Sequence, residues 1–144
     1  MRNQKSEIRI QKSKIPNQLA CTFSSSLELV DQAVQEAVMF LKEHNSRIKI
    51  FDFTLILREA LNNAVLHGNK GNIDRQVKFN LVVTGKTMEI SVIDQGQGFN
   101  WRTACDKKIV GSQATHGRGL SLMKSYGYSI SFNDAGNQMT LKKW

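Results

Sequence analysis

Residues 58–68 read Arg-Glu-Ala-Leu-Asn-Asn-Ala-Val-Leu-His-Gly, and their spacing decides how the rest of the chain is read. Glu59 and Asn63 are four residues apart, so on a helix they share a face, with Asn62 beside them. Leu57, Leu61 and Ala64 point the other way, which predicts a helix over about 52–67, ended by Gly68 in a left-handed C-terminal conformation. Two adjacent asparagines suit an exposed helix interior poorly, because their side chains compete for backbone hydrogen bonds. A functional face explains them better. The Asn63 carbonyl oxygen suits Mg2+, and the Glu59 carboxylate suits a proton acceptor or a held water. A plain solvent face is the alternative for this stretch taken alone.

Two glycine turns follow. Asp94-Gln95-Gly96-Gln97-Gly98 ends a hydrophobic strand. Its glycines let the backbone approach a flat ligand, and its carboxylate can accept a hydrogen bond from an amine such as the adenine amino group. No helix pattern follows directly, so this is not a dinucleotide fingerprint. His116-Gly117-Arg118-Gly119-Leu120 opens a helix over about 118–125, where free amides and the Arg118 charge suit phosphate. Each turn alone matches a commonplace strand end or helix start. Their order and the polar stretch 99–116 between them, read as a loop, point to one pocket for ATP and a divalent cation.

Outward from these motifs the periodicities are simple. Residues 6–12 alternate as a half-buried strand, and 18–23 form a second short one. Ser24-Ser25-Ser26 precede Leu27, Val30, Val34, Val38 and Leu41, which predicts a capped amphipathic helix over about 26–44. Val77, Phe79, Leu81 and Val83, then Gly85-Lys86, then Met88, Ile90 and Val92 read as a hairpin. Strands over about 127–133 and 138–143 close the chain. Helices followed by mostly antiparallel strands indicate an α+β layer fold.

The 144 residues fit one domain with one core. With 40% hydrophobic and 22% charged residues the composition is that of an ordinary globular domain. No apolar run approaches the roughly 18 residues of a membrane span, and the N-terminus lacks an apolar signal core, so a cytoplasmic protein without membrane contact is expected. Cys21 and Cys105 have no CxxC partner and read as incidental or buried thiols. The three histidines lack metal-ligand spacing, which argues against a transition-metal site. The net charge of +8 sits at the two ends and at Lys107-Lys108 without interleaved aromatics. That favours a solvated surface or an acidic protein partner over direct nucleic-acid binding.

Taken together, the chain resembles the GHKL (Bergerat-fold) ATPases, which include gyrase, Hsp90, MutL and histidine-kinase catalytic domains. Glu59–Asn63 through His67-Gly68 looks like their N box, Asp94-Gly96-Gly98 their first glycine box, and Gly117-Arg118-Gly119 their second. The wording EALNNAVLHGN, IDQGQGF and HGRGLSLM is most similar to the RsbW-type anti-sigma factor serine kinases. This implies a two-layer α/β sandwich whose mixed, mostly antiparallel sheet carries helices on one face. It implies ATP and Mg2+ as cofactors, Mg2+ on Asn63, adenine on Asp94, and an ATP lid over about 99–119. Asn62, His67, Gly96, Gly98, His116, Gly117, Arg118, Gly119 and Leu120 complete the expected nucleotide site.

By the same resemblance Glu59 is the general base that activates a serine hydroxyl on a STAS-domain anti-sigma antagonist. The same kinase can sequester a sigma factor, and homodimers occur in the family, with the N-terminal strand a contributor. A non-catalytic, ATP-responsive protein-binding module is the alternative, and a kinase acting on another signalling partner a third. The chain departs from the family after Gly136, where Asn137 and Gln138 replace a frequent threonine, so that adenine contact is missing or is made by an amide. Residues 1–50 hold no paired phosphoacceptor helices, which argues against a histidine kinase. Gyrase-, Hsp90- and MutL-like enzymes are far longer.

Overall fold

A computed structural model describes residues 8–12, 17–44, 48–85, 87–98 and 115–144, the side chains of 11, 12 and 115–118 excepted. In chain order the elements are β1 (Ile8–Lys12), β2 (Gln18–Ser24), α1 (Leu27–Glu43), α2 (Ile50–Asn63), a π-helical turn (Ala64–Gly68), β3 (Gln76–Thr84), β4 (Thr87–Ile93), α3 (Thr115–Ser125), β5 (Ser129–Phe132) and β6 (Gln138–Lys143). The sheet order is β1-β2-β3-β4-β6-β5. Every pairing among these strands is antiparallel, so the expected α+β fold forms without a parallel pair among the described strands.

Period-two patterning places the core on one face. Leu19 pairs with Leu81, Leu81 with Ile90, Ile90 with Leu141 and Leu141 with Ile130, an apolar row across five strands. One residue along, Ala20, Asn80, Ser91, Thr140 and Ser131 form a small, mostly polar row on the opposite face. The helices cover the apolar side. Helix α1 buries Leu29, Val30, Ala33, Val34, Ala37, Phe40 and Leu41, and α2 buries Phe53, Ile56, Leu57, Ala60 and Leu61, at the spacings of a helical stripe. Phe23, Phe53 and Phe79 are wholly enclosed. Each such side chain contributes about 1.5–3 kcal/mol of burial. Among the described residues no helix is long and apolar enough to cross a membrane.

Three local expectations change. Ser26 occupies the N-cap position of α1 but makes no side-chain cap bond. Ser25 instead donates its hydroxyl to the Arg75 carbonyl at 2.8 Å. Gly68 does not take a left-handed conformation; Lys70 (φ 57°) and Gly71 (φ 68°) do, after the π turn has run through Gly68. Helix α3 begins at Thr115 rather than near 118, so Gly117-Arg118-Gly119 lie inside it. Glycines disfavour a helix by about 1 kcal/mol each. Leu120 and Met123, buried in the core, hold α3 in place against that preference.

Candidate functional site

Helix α2 and the π turn form one wall of a cleft, the strand ends and their turns the other. Lining it are Ala60, Asn63, Ala64, His67, Gly68 and Lys70 from the helical side, Val92, Asp94 and Gly98 from β4 and its turn, Leu120 from α3, and Phe132 with Gly136–Met139 from the last two strands. The cavity of about 150 Å3 is many times the roughly 10–15 Å3 one water requires, so it has room for a ring system. Widening of a helix to i→i+5 bonds is often a feature of functional sites. Here it carries His67 and Gly68 onto the cavity wall.

Asp94 is held from several directions. Its backbone N–H donates to the Asn137 carbonyl at 2.9 Å, fastening the end of β4 to the turn before β6. Its Oδ1 accepts from the Gly96 N–H at 2.8 Å. The carboxylate lies so close to Gly68 that a Cβ there would be 2.3 Å from Asp94 Cγ and Oδ2. A Cβ on Gly96 would come within 2.0 Å of the Gly68 carbonyl oxygen. The missing side chains at Gly68 and Gly96 therefore admit neighbouring protein atoms first. Burial pushes the Asp94 carboxyl above its ordinary range, while the Gly96 N–H and the Arg75 guanidinium pull part of the way back.

The turn between β5 and β6 is organised by Asn133. Its Oδ1 accepts from the N–H groups of Gly136 at 2.8 Å, Asn137 at 3.0 Å and Gln138 at 3.2 Å, and its amide donates to Asn137 Oδ1 at 2.6 Å. The backbone at Gly98 packs against this turn. Asn137 and Gln138, which replace the threonine of the family pattern, both line the cavity. The product is an apolar slot between Ala64, Val92, Leu120 and Phe132, with the Asp94 carboxylate and two amides at polar positions. That chemistry suits a flat heterocycle bearing an amine.

Of the residues expected from sequence, Asn63, His67, Asp94, Gly98 and Leu120 line the cavity, while Glu59, Asn62, Gly96 and Gly119 do not. Glu59 and Asn63 both meet α3. A Cβ on Gly119 would sit 3.1 Å from Asn63 Nδ2 and 3.2 Å from Glu59 Cγ. The backbone of His116, Gly117 and Arg118 is in the first turns of α3, and their side chains lie outside the described ones. The expected lid over 99–114 lies outside the described residues, as does Cys105. The remaining lid residues, 115–119, are helical.

Sequence reading missed Lys70, Phe132 and Asn69. Asn-Lys-Gly-Asn is a turn signature that could have flagged Lys70, and Phe132 follows the alternation of β5. Among the described residues no group of three or more His, Cys, Asp or Glu gathers as a metal cage. The carboxamide oxygen of Asn63, on the cavity wall, fits a Mg2+ ion that would keep waters and phosphate oxygens as its other ligands.

Residues 23–143 match the family described as the histidine kinase-like ATPase domain. The chain belongs to that family, within the GHKL-type ATPases, and ATP is the nucleotide such a domain binds. Comparison with curated proteins gives no match.

Proposed function

We propose that this chain is an ATP- and Mg2+-dependent protein serine kinase of the anti-sigma regulatory type, acting on a STAS-domain antagonist. The observation that carries the proposal is the pairing of Glu59 and Asn63, one turn apart on α2 and both against α3 at Gly119, with Asn63 also on the cavity wall. Asp94 holds the adenine amino group, the apolar slot holds the ring, and Asn63 offers its carbonyl oxygen to the metal. Mg2+, when bound, neutralises the phosphate charge. The serine oxygen forms a bond to the γ-phosphorus as the bond from that phosphorus to the β,γ-bridging oxygen breaks. Glu59 takes the serine proton, and ADP leaves. Most of the rate enhancement is positioning and charge neutralisation.

In this proposal the same kinase can hold a sigma factor, and the chain can pair with a second copy. Incubation with γ-labelled ATP, Mg2+ and a STAS-domain protein tests the catalytic claim. Label is expected on a serine of the partner and is expected to fall by about 100-fold or more in Glu59→Gln, the range for loss of general-base catalysis. Undiminished transfer by Glu59→Gln contradicts the role.

A second reading is a non-catalytic module that grips a partner when ATP binds. It is favoured by one observation: Glu59 packs beside Gly119 and does not line the cavity. Partner capture with ATP and no label on any bound protein selects it.

A further inference from the structure

Asn69 is fully enclosed, at 0% exposure, although it lies at the end of a surface helix and carries a polar side chain. Both ends of its carboxamide are used. Oδ1 accepts from the Gln95 N–H at 2.7 Å, and Nδ2 donates to Ser25 Oγ at 2.9 Å and to the Gln76 carbonyl at 3.0 Å. An N–H can only donate and a carbonyl can only accept, so the partners fix which end of the amide is which. The backbone is used as well: Asn69 N–H donates to the Ala64 carbonyl, and Asn69 C=O accepts from the Asn72 N–H. One residue thus joins the end of β2, the start of β3 and the turn after β4 through its side chain, and the π turn through its backbone.

The last of these joints matters most. Gln95 is the residue after Asp94, and Asn69 is the residue after Gly68, against which the Asp94 carboxylate rests. Gln95 also accepts from the Gln76 N–H through Oε1 at 2.7 Å, so the turn is tied to β3 directly as well as through Asn69. Asp94 itself is pinned at its backbone by Asn137. With Asn137 holding residue 94 and Asn69 holding residue 95, the peptide that aims the carboxylate has little freedom to rotate.

We infer that Asn69 is a positioning residue that sets base specificity by fixing the direction of the Asp94 carboxylate from outside the cavity, with Ser25 as its support. The inference rests on the adenine reading of Asp94 in the preceding proposal. Asn69 does not line the cavity, so its removal acts through the turn and not through contact with the nucleotide. A buried carboxamide stripped of its partners costs about 1–3 kcal/mol whatever its purpose, so loss of stability alone does not distinguish a positioning role from a structural one.

The discriminating readout is a ratio of affinities. ATP and purine riboside triphosphate differ only in the 6-amino group that Asp94 is proposed to hold. Calorimetric titration of the wild-type chain is expected to favour ATP by about tenfold or more, the worth of a hydrogen bond to a charged group. In Asn69→Ala that ratio is expected to fall towards one, with affinity for the deamino analogue close to wild type. In Ser25→Ala, a milder change that leaves Asn69 in place, the ratio is expected to fall part of the way. A folded Asn69→Ala protein that keeps the full preference, or that weakens both ligands equally, overturns the inference. Should Asn69→Ala fail to fold, an unchanged ratio in Ser25→Ala overturns it. A wild-type chain that binds both nucleotides equally overturns the adenine reading, and the positioning role with it.

Discussion

The carboxylate of Asp94 rests directly on the backbone of Gly68, leaving no room for even a methyl group: a Cβ on Gly68 would lie 2.3 Å from Asp94 Cγ. The two residues come from elements far apart in the chain, the end of the π turn and the end of β4. Both line the cavity. Their contact explains why glycine stands at position 68 although its backbone is not in the left-handed region.

Gly68→Ala is therefore expected to push Asp94 out of place. Overpacking of this kind costs about 1–3 kcal/mol, seen as a lower midpoint in urea unfolding. ATP affinity is expected to drop by about tenfold or more as the proposed hydrogen bond to the adenine amino group is lost. Wild-type stability and affinity in this variant would contradict the contact.

Asp94 makes the protein's stability depend on pH in a defined direction. Its folded-state carboxyl is raised, chiefly by burial, so the protonated form is the one the fold favours. The contribution is fully present below the unfolded value of about 3.9 and is lost as pH rises through the raised folded value. At pH 7 the ionised group therefore costs stability. Asp94→Asn is expected to melt at or above the wild-type temperature at pH 7, with the difference shrinking towards pH 4. Thermal melts across that range check it. A variant markedly less stable than wild type at pH 7 contradicts the account, and ATP selectivity is expected to be lost in either case.

Gly119→Ala separates folding from catalysis. Alanine gains up to about 1 kcal/mol of helix propensity over glycine. Its Cβ, however, would lie 3.1 Å from Asn63 Nδ2 and 3.2 Å from Glu59 Cγ, so those side chains must give. The melting temperature is expected to stay near or above wild type while the proposed phosphoryl transfer to a STAS-domain protein falls about tenfold or more, the cost of displacing a group proposed to be catalytic. Unchanged transfer would contradict the placement of Glu59.

Cys21 lies within the sheet core, and burial pushes its thiol up to about 12, with Glu36 a smaller influence in the same direction. Only the thiolate is nucleophilic. Iodoacetamide at pH 8 is expected to leave Cys21 unmodified in the native chain and to alkylate it in urea, as read by peptide mass spectrometry. Native-state alkylation at Cys21 contradicts its enclosure.

Much of this architecture was legible beforehand, because period-two and period-3.6 patterns are imposed by the single core they must share. Val77, Phe79, Leu81 and Val83 show it in β3, and Val30, Val34 and Leu41 in α1, although Leu27, read as part of the same stripe, is exposed. What escaped were features set by tertiary neighbours. Ser25 reads as part of a helix cap until Arg75 and Asn69 arrive from 50 and 44 residues away. Gly68 reads as a left-handed helix end until Asp94 is seen to need its space. Helix α3 starts at Thr115, ahead of the glycines read as its opening. That Asn63, His67 and Asp94 line one cavity was legible because helical spacing and a strand-ending turn fix their positions locally. Asn69 was not, since nothing local marks a side chain whose partners lie on three other segments.

The central claim is that the cavity holds ATP by its adenine amino group through Asp94. Titration of ATP and of GTP, with Mg2+, into the wild-type chain and into Asp94→Ala tests it most directly. The wild-type chain is expected to bind ATP at least about tenfold more tightly than GTP, whose position-6 carbonyl meets the carboxylate acceptor to acceptor, and Asp94→Ala is expected to lose that preference. Equal binding of the two nucleotides by the wild-type chain, or an undiminished ATP preference in Asp94→Ala, would contradict it.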